Sequence, residues 1–324
     1  MRTVLLRVIL AVAASAALVV TAFAAPAGAK VPGPNGQIVY AQFDPVNGTV
    51  LYTVNPDGSH PQKLFAGADG PHWSPDGTQV SFFCCGDGKV AHIINVDTGA
   101  FREISNPDPT LDLHCGPWSA DGTKLACESS QPDSARTGVW TISSADGSGL
   151  KQITSNPGGD DIPGDFSPDG KSLVYFRLSP TGDESIDVVR LNGTGLHQIT
   201  PPGMSLAEPE SDEIPVSWSP SGNTILFAAQ ADPSHRSSIW AVNSDGSGLH
   251  QLAIPGCGGA FSDLGSVDCR HPGWSPDGTK IVFARSARSG VNIYTVNRDG
   301  SGLFQVTRNG RNIIPDWGTH PLAS

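Results

Sequence analysis

Acids and histidines recur at one place in this sequence, a few residues ahead of an aromatic that opens a tight turn. The positions are Asp69 and His72, His114, Asp160, Asp161 and Asp165, Asp212 and Glu213, Arg270 and His271, then Asn312 and Asp316. Carboxylates and imidazoles gathered from distant parts of a chain can hold a cation, a partner's basic group or a polar ligand. Polar loop residues that merely solvate a surface are the simpler account of any one of them. As a set, Asp69, His72, His114, Asp160, Asp161, Asp212, Glu213, Arg270, His271 and Asn312 are the candidate ligand-binding residues.

Other chemistry is sparse. There is no G-x-S-x-G nucleophile elbow, no H-E-x-x-H metal helix and no glycine-rich phosphate loop, so no catalytic residue, metal or cofactor is assigned. Each Asp-Gly-Ser turn offers one carboxylate, too few for a calcium loop. His60, His197, His235 and His250 fall in outer strands or turns and read as solvated. Six cysteines form an even set. Cys115 and Cys127 lie symmetrically about the Ser119–Thr123 turn, which sets them opposite each other in a hairpin and within bridging reach. Cys257 and Cys269 bracket a long connection and form the second expected disulfide. For Cys84 and Cys85 a vicinal bridge, free thiols and a swap with Cys115 all stay open.

The elements that must position these groups are repeats. The turn reads Trp73-Ser74-Pro75-Asp76-Gly77, Trp118-Ser119-Ala120-Asp121-Gly122, Phe166-Ser167-Pro168-Asp169-Gly170, Trp218-Ser219-Pro220-Ser221-Gly222 and Trp274-Ser275-Pro276-Asp277-Gly278, with a truncated Pro315-Asp316-Trp317-Gly318. The aromatics are 45, 48, 52, 56 and 43 residues apart. Such periods mark a solenoid or propeller. Each unit continues with two β-rich runs, an Asp-Gly turn and a short strand ending near Gln-Ile-Thr, which makes four antiparallel strands. The first unit starts at Gln37-Ile38-Val39 without an aromatic strand, and the chain ends on one, Ile313–Trp317. Joining them completes a sixth blade. The spacing therefore predicts an all-β, six-bladed propeller closed by pairing of the C-terminal strand with the N-terminal blade. Deletion from Asn312 onward should prevent folding, whereas loss of Leu322–Ser324 should be tolerated.

These motifs resemble the TolB-type six-bladed propeller, with its repeated W-S-P-D-G and D-G-S-G elements, over roughly residues 36 to 318. The sequence departs from TolB where repeats follow the leader almost at once, leaving no room for TolB's amino-terminal α/β domain. The resemblance implies a rigid disk that presents loops for binding, without implying a part in the Tol system.

Residues 1–29 read as a cleaved signal peptide: Arg2 and Arg7, an apolar stretch from Val8 to Phe23, then Ala27-Gly28-Ala29. Its removal takes away two arginines and no acid, so the net charge moves from −11 to −13. The remainder, 30–324, is expected to be one domain without a membrane span, secreted or periplasmic and monomeric. An acidic chain lacking a basic stripe argues against nucleic-acid binding. Two functions are expected. One is a non-catalytic scaffold that binds a protein or cell-envelope component. The alternative is a metal-assisted polysaccharide lyase or hydrolase with its site in the funnel, similar to propeller lyases that bind a metal through channel histidines; here His72, His114 and His271 are the histidines that could meet.

Overall fold

The structure is a computed structural model that describes residues 32–46, 48–84, 88–131, 134–206, 216–263, 265–288 and 290–324. The leader (1–29), Cys85, Asp212 and Glu213 lie outside the described residues. Blade 1 contains β1 (Ile38–Asp44), β2 (Gly48–Val54) and β3 (Gln62–Ala66). Blade 2 is β4 (Ala68–Trp73), β5 (Gln79–Cys84), β6 (Lys89–Asn95) and β7 (Phe101–Ser105). Blade 3 is β8 (Leu113–Trp118), β9 (Lys124–Ser129), β10 (Gly138–Ser143) and β11 (Lys151–Gln152). Blade 4 is β12 (Asp160–Phe166), β13 (Ser172–Leu178), β14 (Glu184–Arg190) and β15 (His197–Gln198). Blade 5 is β16 (Ser217–Trp218), β17 (Thr224–Gln230), β18 (Ser237–Asn243) and β19 (His250–Gln251). Blade 6 is β20 (Asp268–Trp274), β21 (Lys280–Ala287), β22 (Gly290–Asn297) and β23 (Phe304–Gln305), and β24 (Asn312–Trp317) returns to complete blade 1. Each sheet has four antiparallel strands, and six sheets form the ring. No helix among the described residues is long and apolar enough to cross a membrane.

The repeated residues explain the repeated structure. In the first turn Ser74 Oγ donates to Asp76 Oδ1 (2.6 Å) and accepts from the Gln79 amide (2.9 Å), while Gly77 takes φ +69°. That conformation is costly for a residue with a Cβ. Ser167 and Asp169 repeat the contact at 2.6 Å, and Ser275 and Asp277 at 2.7 Å. The threonine of Gln-Ile-Thr has a job too: Thr154, Thr200 and Thr307 each accept, through Oγ1, an amide of the third strand of their own blade. The side chain thus continues a ladder where the outer strand has only two residues.

The core is six inter-blade wedges, each built on the aromatic of a first strand. Trp118 packs against Val90, Ala91, Ile93 and Ile104 of blade 2. Phe166 packs against Ala126 and Val139 of blade 3, and Trp218 against Val174 and Val188 of blade 4. Trp274, Trp317 and Trp73 repeat the arrangement around the ring. All six are at most 6% exposed. Burying such large apolar side chains is the main favourable term holding neighbouring blades together.

Closure is the expected pairing of the C-terminal strand with the N-terminal blade. Ile38 pairs with Trp317 and Gln42 with Asn312, and the Trp317 indole donates to Gly36 O (2.9 Å). The tail beyond is also fixed. His320 stacks on Trp73 at 5.3 Å and bonds Gly77 O through Nδ1 (2.9 Å). Asn55 exchanges two hydrogen bonds with the backbone of Ala323, so the last three residues are less dispensable than the sequence suggests.

Candidate functional site

Four first strands, β4, β8, β12 and β20, bend as they pass the axis. Register shifts fall between Asp69 and His72, Cys115 and Trp118, Pro163 and Asp165, and Arg270 and Gly273. Glycine and proline occupy these bulges, because one strand gains a residue that no longer pairs. The bulges line a central channel with Pro71, Pro117, Gly164, Val216, Pro272 and Pro315, and its volume is only about 80 Å3. Two carboxylates and a hydroxyl beside it hold blades together. Asp316 Oδ2 accepts the Trp73 amide (2.8 Å), Asp165 Oδ2 the Trp218 amide (2.9 Å), and Ser217 Oγ the Trp274 amide (3.2 Å). His72 also lines the channel, and its ring lies so close to Gly116 that a Cβ there would meet it at 2.9 Å.

A much larger cavity, about 1010 Å3, opens at the other face, away from the Ser-Pro-Asp-Gly turns. Asp69 and His114 line it together with Phe83, Lys89, Asp112 and Gln131. His114 meets the Phe83 ring edge-on at 6.0 Å, with Nε2 3.9 Å from Asp112 Oδ1. Lys89 Nζ sits 3.7 Å from Glu103 and donates to Ser105 Oγ (3.2 Å). The wall at 106–112 is braced. Asn106 donates to Leu111 O (2.7 Å), and Arg136 pairs with Asp108 and donates to Thr110 Oγ1 (2.8 Å). Hydrogen bonds from Thr110 and Arg136 hold the Asp108 carboxyl well below its usual range. A braced wall, an aromatic edge and both signs of charge suit a polar ligand or a partner side chain.

The remaining candidates are placed elsewhere. Asp161 is fully buried, and its oxygens accept from Arg177 (2.8 Å twice), Thr154 (2.6 Å) and Asn156 (2.9 Å). Asn312 is fully buried between Asn292 and Asn309. Asp160 and Arg270 are half-buried at the starts of β12 and β20. His271 is buried at φ +54°, with Nδ1 lacking a hydrogen-bond partner, and desolvation followed by the nearby Arg270 charge lowers its pKa to about 4. It is therefore neutral at neutral pH. His72, His114 and His271 thus occupy three settings, and among the described residues no three His, Cys, Asp or Glu gather closely enough to hold a metal ion.

Phe83, Lys89, Asp112 and Gln131 escaped the sequence reading. They belong to the β5–β6 hairpin, the β7–β8 connection and the segment just after β9, outside the repeated motif. The available signal was Asp112, two residues from His114. Both expected disulfides are present: Cys115 faces Cys127 across β8 and β9 with Cα atoms 3.9 Å apart, and Cys257 joins Cys269. Cys84 is also disulfide-bonded. Trp140, Trp240 and Tyr294 pack into inter-blade cores, as their third-strand positions suggest.

Comparison with known proteins agrees with this architecture. Over 231 residues the chain is 28% identical to an uncharacterised protein of Agrobacterium fabrum, covering 65% of this chain and 68% of that one. It is 26% identical over 150 residues to the Tol-Pal system protein TolB of Bordetella pertussis, a match covering 44% of this chain and 32% of that protein. The chain thus matches about a third of that TolB's length. Its fold is similar to TolB from Acinetobacter baumannii, with a TM-score of 0.65 at 16% identity over 87% of this chain and 66% of that one. Residues 65–263, more than half of the chain, match the TolB beta propeller domain, and the chain belongs to that family.

Proposed function

We propose that this chain is an exported, monomeric scaffold that binds a protein or cell-envelope component without catalysing a reaction. The observation that carries the reading is the braced cavity of about 1010 Å3 at the mouth, assembled from blades 1 to 3 of a rigid ring. Rigid scaffolds with variable loops suit recognition, because little ordering is left to be done on binding. Export is supported by the charge and apolar pattern of residues 1–29 and by the disulfides, which persist in oxidising compartments. The similarity to TolB, named as a Tol-Pal system protein, points to the envelope. Among the described residues His72, His114 and His271 lie in three separate settings, which favours the scaffold over the lyase or hydrolase alternative.

The test is affinity capture from envelope extracts with the parent protein and with Asp69→Ala/His114→Ala. A saturable partner retained by the parent and lost by the double variant is expected. Equal capture by both, or turnover of a polysaccharide by the parent, would overturn the reading.

A further inference from the structure

One corner of the ring gathers exposed arginines in a chain whose net charge is negative. The β21–β22 hairpin supplies Arg288, and the connection from β23 to β24 supplies Arg308 and Arg311; all three are exposed. Backbone contacts make these segments neighbours of blade 1. The Phe43 amide donates to Arg311 O (2.9 Å), the Val291 amide to Gly310 O (3.1 Å), and Asn309 Nδ2 to Gln42 Oε1 (2.5 Å). Among the described residues, none of the three guanidinium groups has a hydrogen-bond or ion-pair partner. This is unusual in a chain of net charge −11. The adjoining β1–β2 turn presents Phe43 at 55% and Val46 at 87% exposure. Three carboxylates lie nearby. Asp44 accepts the Val46 amide (2.8 Å), Asp263 shares a recess of about 430 Å3 with Arg288 without pairing to it, and Asp268 in the same recess is paired with Arg236 (2.9 Å).

We propose that this corner is a docking surface for an anionic lipid leaflet. The guanidinium fork matches phosphate oxygens, and arginine is more weakly hydrated than lysine, so it gives up water more readily. A lipid leaflet presents its negative charge as a layer directly above hydrocarbon. That order suits a projecting apolar turn flanked by unpaired arginines, with Phe43 and Val46 entering the acyl boundary while the arginines meet headgroups. The arginines come from separate loops, and a fluid field of phosphates satisfies such a patch without a matched geometry. An acidic peptide would supply the charge and leave the two apolar side chains uncovered. The net negative charge of the chain does not cancel the attraction, because charges beyond a Debye length of about 8 Å are largely screened. Each arginine near an anionic surface is worth roughly a five-fold gain in binding.

The experiment is co-sedimentation of the exported protein with vesicles of phosphatidylglycerol and phosphatidylcholine, beside vesicles of phosphatidylcholine alone. Binding only to the anionic vesicles, weakening as salt rises, is expected. Arg288→Gln/Arg308→Gln/Arg311→Gln should bind about a hundred-fold more weakly. Phe43→Ser/Val46→Ser should lose most binding even at low salt, and Asp69→Ala/His114→Ala should bind as the parent does, which separates this surface from the mouth cavity. Thermal melts confirm that each variant is folded. Equal binding to both vesicle types, an undiminished triple variant, or retention of soluble polyglutamate in place of vesicles would overturn the proposal.

Discussion

Blades 4 and 6 are built on the same strand plan and bury opposite chemistry at the same place. The third-strand position facing the neighbouring blade is Tyr52, His92, Trp140, Trp240 and Tyr294 in five blades and Asp187 in blade 4. In blade 6, Tyr294 lies 6.2 Å from Phe283, and Arg285 sits 5.3 Å over its ring while donating to Pro255 O (3.0 Å). In blade 4 the equivalent arginine, Arg177, turns to carboxylates. It holds Asp161 with two bonds of 2.8 Å and approaches Asp187 at 3.7 Å, above the buried ring of Tyr175. Backbone register is indifferent to this exchange; solvent pH is not. Desolvation raises the Asp187 pKa, and the same cause lowers that of His271 in blade 6. One ring therefore contains two buried groups whose protonation pulls stability in opposite directions.

The comparison can be broken most severely at Arg177. Arg177→Ala should cost ~3–5 kcal/mol, because it leaves two buried carboxylates without their cation. Urea denaturation at neutral pH measures it, and a loss below 1 kcal/mol would mean that the cluster is wetter than its burial indicates. His271→Asn comes next. The folded-state pKa of His271 is about 4, below an ordinary value of 6.5, so the unfolded chain takes up a proton first. Stability should fall as pH drops from 6.5 towards 4, by about 3 kcal/mol in this group's contribution. Asparagine tolerates the left-handed backbone and should flatten that slope, read from denaturation midpoints at several pH values.

Arg285→Ala should cost only about 1 kcal/mol, since it loses one hydrogen bond and a cation–π contact and strands no charge. Asp187→Asn should have the smallest effect at neutral pH and the opposite pH sign to His271. A raised folded-state pKa means that ionised Asp187 opposes folding above that pKa and that the opposition fades as pH falls towards its unfolded value. The variant should gain on the parent at neutral pH and lose that advantage on acidification. Turn aspartates such as Asp76 and Asp277 are held below their usual range, so they favour folding above pH 4 and lose that contribution as pH drops. Taking differences between variant and parent removes this shared background. An Asp187→Asn advantage that grew on acidification would contradict the burial argument.

The ring was legible in the sequence because each blade repeats an aromatic and a turn whose chemistry has one structural solution. Ser74 with Asp76, and Ser119 with Asp121, announce a hairpin wherever they occur. Cys115 and Cys127 were legible for the same reason, since a known turn fixes register. The site was less so. Asp161 and Asn312 share their repeat position with Ala68, Leu113 and Cys269, all buried. Alternation counted back from the aromatic fails there, because a bulge intervenes and reverses which face a side chain meets. The mouth cavity owes its walls to connections that differ from blade to blade, such as the one bearing Asn106 and Asp112, and a repeat pattern is silent about what does not repeat.

Closure between β1 and β24 has a consequence in time. The chain emerges from the ribosome in order, and the innermost partner of β1 is encoded some 270 residues later. At ~5–20 residues per second that is a wait on the order of 10–60 s. Throughout it, Ile38 to Gln42 offer an unclaimed ladder edge, the kind of edge that templates association between chains. Pairing across so great a sequence separation is also slow once it becomes possible. The ring therefore waits on β24: until Trp317 reaches Gly36, blade 1 is one strand short and the ring is open.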